Sequence, residues 1–108
     1  MECVTRQEGA YIIVVLEGEV DLHYSPVARK SILDNLKNNN HVLVDLSGVK
    51  YIDSSGIASL VEGFQLARSS SLEFGLVGVS DAAISVLKLA RLDKVFPIKD
   101  NVNDFINA

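Results

Sequence analysis

Residues 42–63 read VLVDLSGVKYIDSSGIASLVEG, and this stretch is the most informative part of the sequence. Its opening residues, Val42-Leu43-Val44, are all apolar and two of them are β-branched, which predicts a short buried strand within His41–Leu46. Ser47–Ile52 is interpreted as a connection, and a helix is expected to begin within Ser54–Gly56. The residues at helical spacing after that start are apolar: Ile57, Leu60, Val61, Phe64 and Ala67. The stretch therefore predicts a strand that ends near Asp45, a loop and an amphipathic helix.

The segments before this stretch predict a hairpin and a first helix. Glu2–Glu8 is weakly strand-like, and Tyr11–Leu16 is an apolar run typical of a buried strand, with a gap short enough for an antiparallel hairpin. Ser25-Pro26 is a typical helix start, since serine can cap the free N–H groups and proline suits the first helical position. The helix is expected to end at Asn38–Asn40. Its apolar stripe consists of Ala28, Ile32, Leu33 and Leu36.

The segments after it continue the alternation. Glu73–Gly78 predicts a fourth strand, and Ser80-Asp81 can cap a third long helix. Val95–Ile98 is interpreted as a short extended piece, and Val102–Ile106 as a short final helix. The residues expected on the inward face of the third helix are Ile84, Leu87 and Ala90. The order β-β-α-β-α-β-α predicts one α/β domain, residues 1–108, with helices packed on a mixed, mostly parallel sheet of four or five strands.

Composition restricts the class of protein. The chain has 108 residues, of which 48% are hydrophobic, enough for the core of one domain. The formal net charge is −4, which argues against a nucleic-acid or anionic-membrane surface but still allows a basic patch on one face. Cys3 is the only cysteine, so no intramolecular disulfide and no cysteine-based metal site is expected.

The sequence also indicates a cellular compartment. It opens with an acidic residue, and no apolar stretch follows a basic start, so no signal peptide is expected. The longest apolar run, Tyr11–Leu16, is too short to span a bilayer. We therefore expect a cytoplasmic protein without direct membrane insertion.

The run Asp53-Ser54-Ser55-Gly56 is the candidate site for anion binding or phosphorylation. A helix start offers free backbone N–H groups and the positive end of the helix dipole, which together can bind an anion, including a phosphate carried on a serine of the same run. Gly56 allows another backbone to approach closely. The same four residues are also typical of an ordinary helix N-cap, so the run alone leaves both interpretations open.

Four segments resemble the STAS domains of the anti-sigma factor antagonist (anti-anti-sigma factor) family. Leu16–Asp21 resembles the family's GEVD signature at a strand end, and Ser25-Pro26 with the following helix resembles its first helix. Val42–Ser47 and Tyr51–Ile57 resemble its central motif, and Leu87–Phe96 resembles its third helix and the segment after it. The resemblance covers residues 9–100 and implies a STAS domain in which strand ends and helix starts build a partner-docking face.

The resemblance implies a phosphorylation-controlled switch of binding partners rather than an enzyme. In this family the serine after the motif aspartate, here Ser54, is phosphorylated by an anti-sigma factor that is a serine kinase. The unphosphorylated domain binds that kinase and frees the sigma factor, and a PP2C-type phosphatase restores the unphosphorylated form. No cofactor, metal or direct nucleic-acid contact is implied, and the oligomeric state is open. The expected binding residues are Asp53, Ser55, Gly56, Ile57, Asp21 and His23, on a face that includes the Glu19–Ser25 loop.

One departure keeps a second function open. Ile57-Ala58 stands where many members of the sigma pathway have Leu-Gly. Gly56–Glu62 also resembles STAS domains that serve as small cytoplasmic subunits of lipid-transport ABC complexes. The alternative is therefore a non-enzymatic subunit of a membrane transporter.

Enzymatic and metal-binding interpretations have little support in the sequence. Asp45 follows a strand as a receiver's phospho-acceptor does, but the acidic pair that would hold magnesium is missing. A serine hydrolase would need an activating base, and no Gly-x-Ser-x-Gly motif is present. His23 and His41 are far apart in the chain, so a metal role for either is not expected.

Overall fold

The computed structural model describes residues 3–107, which form a five-stranded sheet and four helices. The strands are β1 (Val4–Glu8), β2 (Tyr11–Val20), β3 (His41–Ile52), β4 (Phe74–Val77) and β5 (Ile98–Lys99). The helices are α1 (Ser25–Lys37), α2 (Ser54–Ser69), α3 (Asp81–Leu89) and α4 (Val102–Ile106). The predicted α/β class with a mixed sheet is confirmed. Glu2, placed in the first strand by sequence, lies outside the described residues.

The order of strands in the sheet is the order in the chain, β1-β2-β3-β4-β5. β1 and β2 form an antiparallel hairpin that turns at Gly9, whose φ of +59° suits glycine. The β2–β3, β3–β4 and β4–β5 pairs are parallel and are connected through α1, α2 and α3. The carboxyl ends of β2, β3 and β4 therefore lie at one edge of the sheet, here called the carboxyl edge.

The two faces of the sheet are covered unequally. One face carries the main core, to which α1, α2 and α3 contribute Ile32, Leu60 and Leu87, all fully buried. The other face has a smaller cluster that includes Ile13, Leu43 and Val102 of α4. Alternation along β2 and β3 explains the division, because successive side chains of a strand point to opposite faces.

β3 continues through the segment that was predicted to be a connection, so the prediction for Ser47–Ile52 was wrong. At two places β3 has one residue more than β2: the pairing steps from Val15–Asp45 to Glu17–Gly48 and from Gly18–Val49 to Glu19–Tyr51. Such bulges let a strand continue past residues that do not fit the pleat. β2 likewise extends past Leu16 to Val20. Both strands therefore reach the carboxyl edge as a long pair.

The end of α3 also differs from the prediction. Ala90 was expected to face inward but is exposed, because the helix ends at Leu89 and the chain turns at Arg91 with a φ of +59°. Ala83, one turn after the Ser80 cap, is buried instead. The extended piece expected at Val95–Ile98 is shorter and later, at Ile98–Lys99. The final helix Val102–Ile106 is confirmed.

None of the helices described within residues 3–107 has both the length and the apolar composition needed to cross a membrane.

Candidate functional site

Asp53 caps the start of α2. Its carboxylate accepts hydrogen bonds from the backbone N–H of Ser55 (2.9 Å) and of Gly56 (3.2 Å), and from the Ser55 hydroxyl (2.5 Å). The extended backbone of Asp53 (φ −103°, ψ −173°) is that of an N-cap residue. The helix-cap interpretation of residues 53–56 is therefore correct for Asp53, which caps the helix, and for Ser55, which donates hydrogen bonds to it.

The hydrogen bonds to Asp53 also affect its ionisation. The Ser55 hydroxyl, followed by the N–H groups of Gly56 and Ser55, lowers the pKa of the Asp53 carboxyl below its ordinary value, although desolvation opposes this. Asp53 is therefore a carboxylate at neutral pH, and the helix start already holds one negative charge.

Ser54 is the first residue of α2 and is exposed. The hydrogen bonds of the cap join Asp53 to residues 55 and 56, so they leave the Ser54 hydroxyl at the surface. Two N–H donors that could have received a serine-borne phosphate are paired with Asp53 instead. A phosphate added to Ser54 would stand beside the Asp53 carboxylate.

Gly56 and Ile57 lie beneath this surface. Ile57 is 8% exposed and belongs to the main core. A Cβ atom placed on Gly56 would be 2.6 Å from Ile52 Cγ1 and 2.9 Å from both Val20 Cγ1 and the Val20 carbonyl oxygen. The expectation that Gly56 admits a second backbone is confirmed, and that backbone belongs to the end of β2.

Asp21 organises the neighbouring turn between β2 and α1. Its carboxylate accepts from the N–H groups of His23 (2.9 Å) and Tyr24 (3.2 Å), and its carbonyl oxygen accepts from Ser25 N–H at 2.7 Å. The His23 side chain is exposed on this turn. Asp21 therefore fixes the shape of the loop, and His23 is presented to solvent.

The two loops are held together at the carboxyl edge. The N–H of Asp53 donates to the Val20 carbonyl at 3.2 Å. The Ser59 hydroxyl donates to the Ser55 carbonyl at 3.1 Å and lies 3.4 Å from the Ser25 carbonyl oxygen. Asp21, in the turn after β2, and Ser54, at the start of α2, are far apart in the chain but consequently lie on neighbouring segments at the carboxyl edge.

Two exposed apolar side chains beside these loops were missed. Leu22, within the Asp21 turn, is 72% exposed, and Val27, in the first turn of α1, is 39% exposed. A signal was present, because Val27 lies outside the Ala28–Ile32 stripe and Leu22 lies outside any predicted element. Leu22 and Val27 give the surface beside the Asp21 turn an exposed apolar component.

Other sequence candidates have structural roles. Asp45 lies within β3, and its carboxylate accepts from the Ser47 N–H (2.9 Å) and hydroxyl (2.7 Å). His41 Nδ1 accepts from Glu73 N–H at 2.9 Å, which links the starts of β3 and β4. Tyr24 is buried, with its hydroxyl oxygen 3.6 Å from the sulfur of Cys3. In the part of the chain described, no three His, Cys, Asp or Glu side chains are grouped to hold a metal ion.

Comparisons with known proteins agree on one family. The family model for the STAS domain matches residues 3–105. The chain is 26% identical to an anti-sigma-B factor antagonist of Listeria monocytogenes over 106 residues, covering 97% of this chain and 92% of that protein. It is 27% identical to an anti-sigma F factor antagonist of Paenibacillus polymyxa over 92 residues, covering 83% and 79%.

Solved structures share the fold. An anti-sigma factor antagonist of Mycobacterium paratuberculosis superposes with a TM-score of 0.83 at 23% identity, covering 97% of this chain and 90% of that one. The antagonist SpoIIAA in its unphosphorylated form gives a TM-score of 0.81 at 15% identity, covering 97% and 93%. SpoIIAA of Bacillus in its phosphorylated form gives 0.76 at 15% identity, covering 97% and 96%.

Proposed function

Since this chain belongs to the STAS domain family, we propose that it is an anti-sigma factor antagonist whose binding is controlled by phosphorylation of Ser54. The exposed position of Ser54, at the edge where the Asp21 and Asp53 loops meet, carries this proposal. The names of the Listeria and Paenibacillus relatives support the regulatory class. SpoIIAA, which has the same fold, exists in phosphorylated and unphosphorylated forms, and this supports a covalent switch.

The switch works through charge on a surface that is already acidic. Phosphorylation adds about −1.5 to −2 charges and three acceptor oxygens. Because Asp53 holds the N–H groups of Ser55 and Gly56, the phosphate has fewer donors on its own helix and projects toward a docked partner. Partner groups that approach Ser54 closely are then repelled or displaced, while the domain keeps its fold.

The predicted binding residues divide into contact and support. In this proposal Ser54 and His23 contact the partner directly, together with the exposed Leu22. The remaining predicted residues hold that surface in shape: Asp21 and Asp53 through their capping hydrogen bonds, Ser55 through its bond to Asp53, and Gly56 and Ile57 through burial.

The proposed partner is an anti-sigma factor that acts as a serine kinase, and a PP2C-type phosphatase resets the switch. The domain itself acts by binding and turns over no substrate. Because its proposed partners are cytoplasmic, the protein is proposed to act in the cytoplasm.

Incubation with the cognate anti-sigma kinase and ATP, followed by mass spectrometry, tests the acceptor. One phosphate is expected on wild-type protein and none on Ser54→Ala. Undiminished labelling of Ser54→Ala would refute the assignment of Ser54.

The affinity of the protein for the anti-sigma kinase, the proposed partner of the unphosphorylated form, tests the switch. Ser54→Asp is expected to weaken kinase binding about tenfold or more, which corresponds to ~1.4 kcal/mol or more. Ser70→Asp, an exposed change of the same charge at the far end of α2, is the matched control and should bind as wild type. Equal affinity of both variants would contradict control by charge at Ser54.

The second candidate is a non-enzymatic subunit of a lipid-transport ABC complex, favoured by the Ile57-Ala58 pair at the start of α2. It predicts stable co-purification with the transporter ATPase and little effect of Ser54→Asp on that association. Co-purification that withstands Ser54→Asp, without kinase binding, would replace the first proposal.

A further inference from the structure

A compact turn at the end of α3 concentrates exposed positive charge. Residues 88–96, called the basic turn below, read KLARLDKVF. Lys88, Arg91 and Lys94 are all exposed. Hydrogen bonds from Leu92 N–H to the Leu87 carbonyl (2.8 Å) and from Val95 N–H to the Leu92 carbonyl (3.0 Å) close the segment on itself. The three cations therefore belong to one folded unit.

The basic turn also presents apolar side chains. Leu89 is 86% exposed and Val95 is 46% exposed. Phe96, the next residue, is 4% exposed and packs in the main core with its ring 5.5 Å from that of Phe64. Because Phe96 and the half-buried Leu92 fix the segment, Leu89 and Val95 are held outward by a rigid base.

None of the three cations of the basic turn is paired with a carboxylate of the described residues. Within residues 3–107 the ion pairs are Arg6–Glu8, Arg29–Glu62 and Lys30–Asp34, and none involves the basic turn. The turn holds one carboxylate, the half-buried Asp93, against three cations. Attraction to the carboxyl end of α3 explains one basic residue near a helix terminus, but it does not explain the exposed Leu89 and Val95, each next to a lysine in sequence.

Arg91 is the residue at which the chain turns after α3. Its φ is +59°, and Asn39 and Ser71, which follow α1 and α2, have φ values of +68° and +57°. A left-handed residue is a common way for a helix to end. The conformation of Arg91 therefore closes α3 and sets the direction in which its side chain leaves the turn.

The basic turn lies far from Ser54. α2 begins at the carboxyl edge with Ser54, and Arg68, near its other end, is about 21 Å away along the helix axis. The Arg68 guanidinium lies 5.7 Å from the centre of the Phe64 ring, and that ring contacts Phe96. Arg68 therefore adds a fourth cation on the side of the basic turn.

We propose that the basic turn, with Arg68, is a docking surface for an acidic segment of a partner protein that also carries aliphatic side chains. The acids of that segment pair with Lys88, Arg91 and Lys94, and its aliphatic groups cover Leu89 and Val95. Charge complementarity favours a protein segment over an anionic membrane. The chain as a whole carries −4, so a bilayer would repel the rest of the molecule, whereas a short segment contacts only this surface.

Because the basic turn is far from Ser54, binding at the basic turn can be independent of phosphorylation. A partner held at the basic turn is beyond the reach of a phosphate on Ser54, so it stays bound in both states of the proposed switch. Binding at the basic turn can be measured without any kinase, and only its independence of the Ser54 state rests on the proposed function.

The test titrates the full-length, isotope-labelled protein with a short synthetic peptide of Glu, Asp and Leu, followed by nuclear magnetic resonance. A peptide with Gln and Asn in place of the acids is the control ligand. Backbone amide shifts are expected in residues 88–96 and at Arg68. Lys88→Glu/Lys94→Glu should weaken binding about tenfold. Lys37→Glu/Lys50→Glu, which changes the net charge equally elsewhere, should change binding less than about twofold. Ser54→Asp should leave it unaltered.

Several results would overturn the proposal. These are amide shifts centred elsewhere, equal losses in the two double variants, or no binding of the acidic peptide up to about 1 mM. Capture by phosphatidylglycerol vesicles through the basic turn, without peptide binding, would assign the surface to a membrane instead. Leu89→Ser, at a residue too exposed to affect folding, should weaken the peptide complex, and retention of full affinity would remove the apolar part of the proposal.

Discussion

Replacement of Gly56 by alanine tests how closely α2 is seated on β2. The added Cβ would be 2.6 Å from Ile52 Cγ1, whereas carbon atoms normally approach to about 3.5–4.0 Å. Ile52 and Val20 must therefore move by about 1 Å, although they are 2% and 0% exposed and have little space. The Val20 carbonyl oxygen, 2.9 Å away, is backbone and is held by Asp53 N–H.

The expected result is a less stable protein with the same fold. Overpacking of this kind costs about 1–3 kcal/mol, and the better helix propensity of alanine returns up to ~1 kcal/mol. The net loss of about 1–2 kcal/mol corresponds to a fall in Tm of roughly 4–16 °C for a domain of this size. Thermal and urea unfolding followed by circular dichroism measures both quantities.

Ser54→Ala, two residues earlier and exposed, is the matched control and should unfold as wild type does within about 0.5 kcal/mol. An unstrained glycine-to-alanine change stabilises a protein by about 0.4–1 kcal/mol. A Gly56→Ala protein with a raised Tm would therefore refute the close contact between α2 and the end of β2.

Three further predictions follow from ionisable groups. The pKa of Asp53 is lower in the folded protein than in the unfolded chain, so its cap stabilises the fold above the ordinary aspartate pKa of about 3.9. This stability is lost as the pH falls through the pKa of the folded protein. The difference in urea midpoint between wild type and Asp53→Asn should therefore shrink below about pH 4. Burial, followed by Glu73, raises the pKa of Tyr11 to about 12, so wild type should lose stability between about pH 10 and 12 by a component absent from Tyr11→Phe, and equal alkaline curves would contradict it. Burial raises the pKa of the Cys3 thiol, so alkylation at neutral pH should be slower than that of a free cysteine, and an equal rate would contradict the raised pKa.

Local signals in the sequence were sufficient for the starts of α2 and α3. The expectation that Ser25 caps α1 was wrong, because Tyr24 occupies the N-cap position and makes no side-chain capping bond. Asp53 and Ser80 cap their helices with side chains that act within three residues, and such bonds depend little on the rest of the fold. The order of elements was sufficient for the sheet class, since a parallel pair needs a crossover and the sequence shows helices where crossovers are required.

What the sequence did not show depends on residues distant in the chain. β3 passes Ser47 and Gly48 because β2 lies beside it and accommodates the bulges, and no pattern within β3 reports that partner. The bond from Asp53 N–H to the Val20 carbonyl, which joins the two loops of the site, is likewise visible only after the strands pair. The exposure of Ala90 follows from the left-handed turn at Arg91, where an arginine gives no sign of the conformation that a glycine would signal.

The order of the strands has a consequence for synthesis on the ribosome. Each strand pairs with the one made just before it, so no strand has to wait for a later segment or insert between two earlier ones. Nascent chains emerge from the amino terminus, and the sheet can grow outward in that direction. Ser54 follows β3 directly and reaches its place at the carboxyl edge once β3 has joined β2 and α2 has closed over them. β4, β5 and α4 then complete the domain around the start of α2, whose neighbours β2 and β3 are already in position.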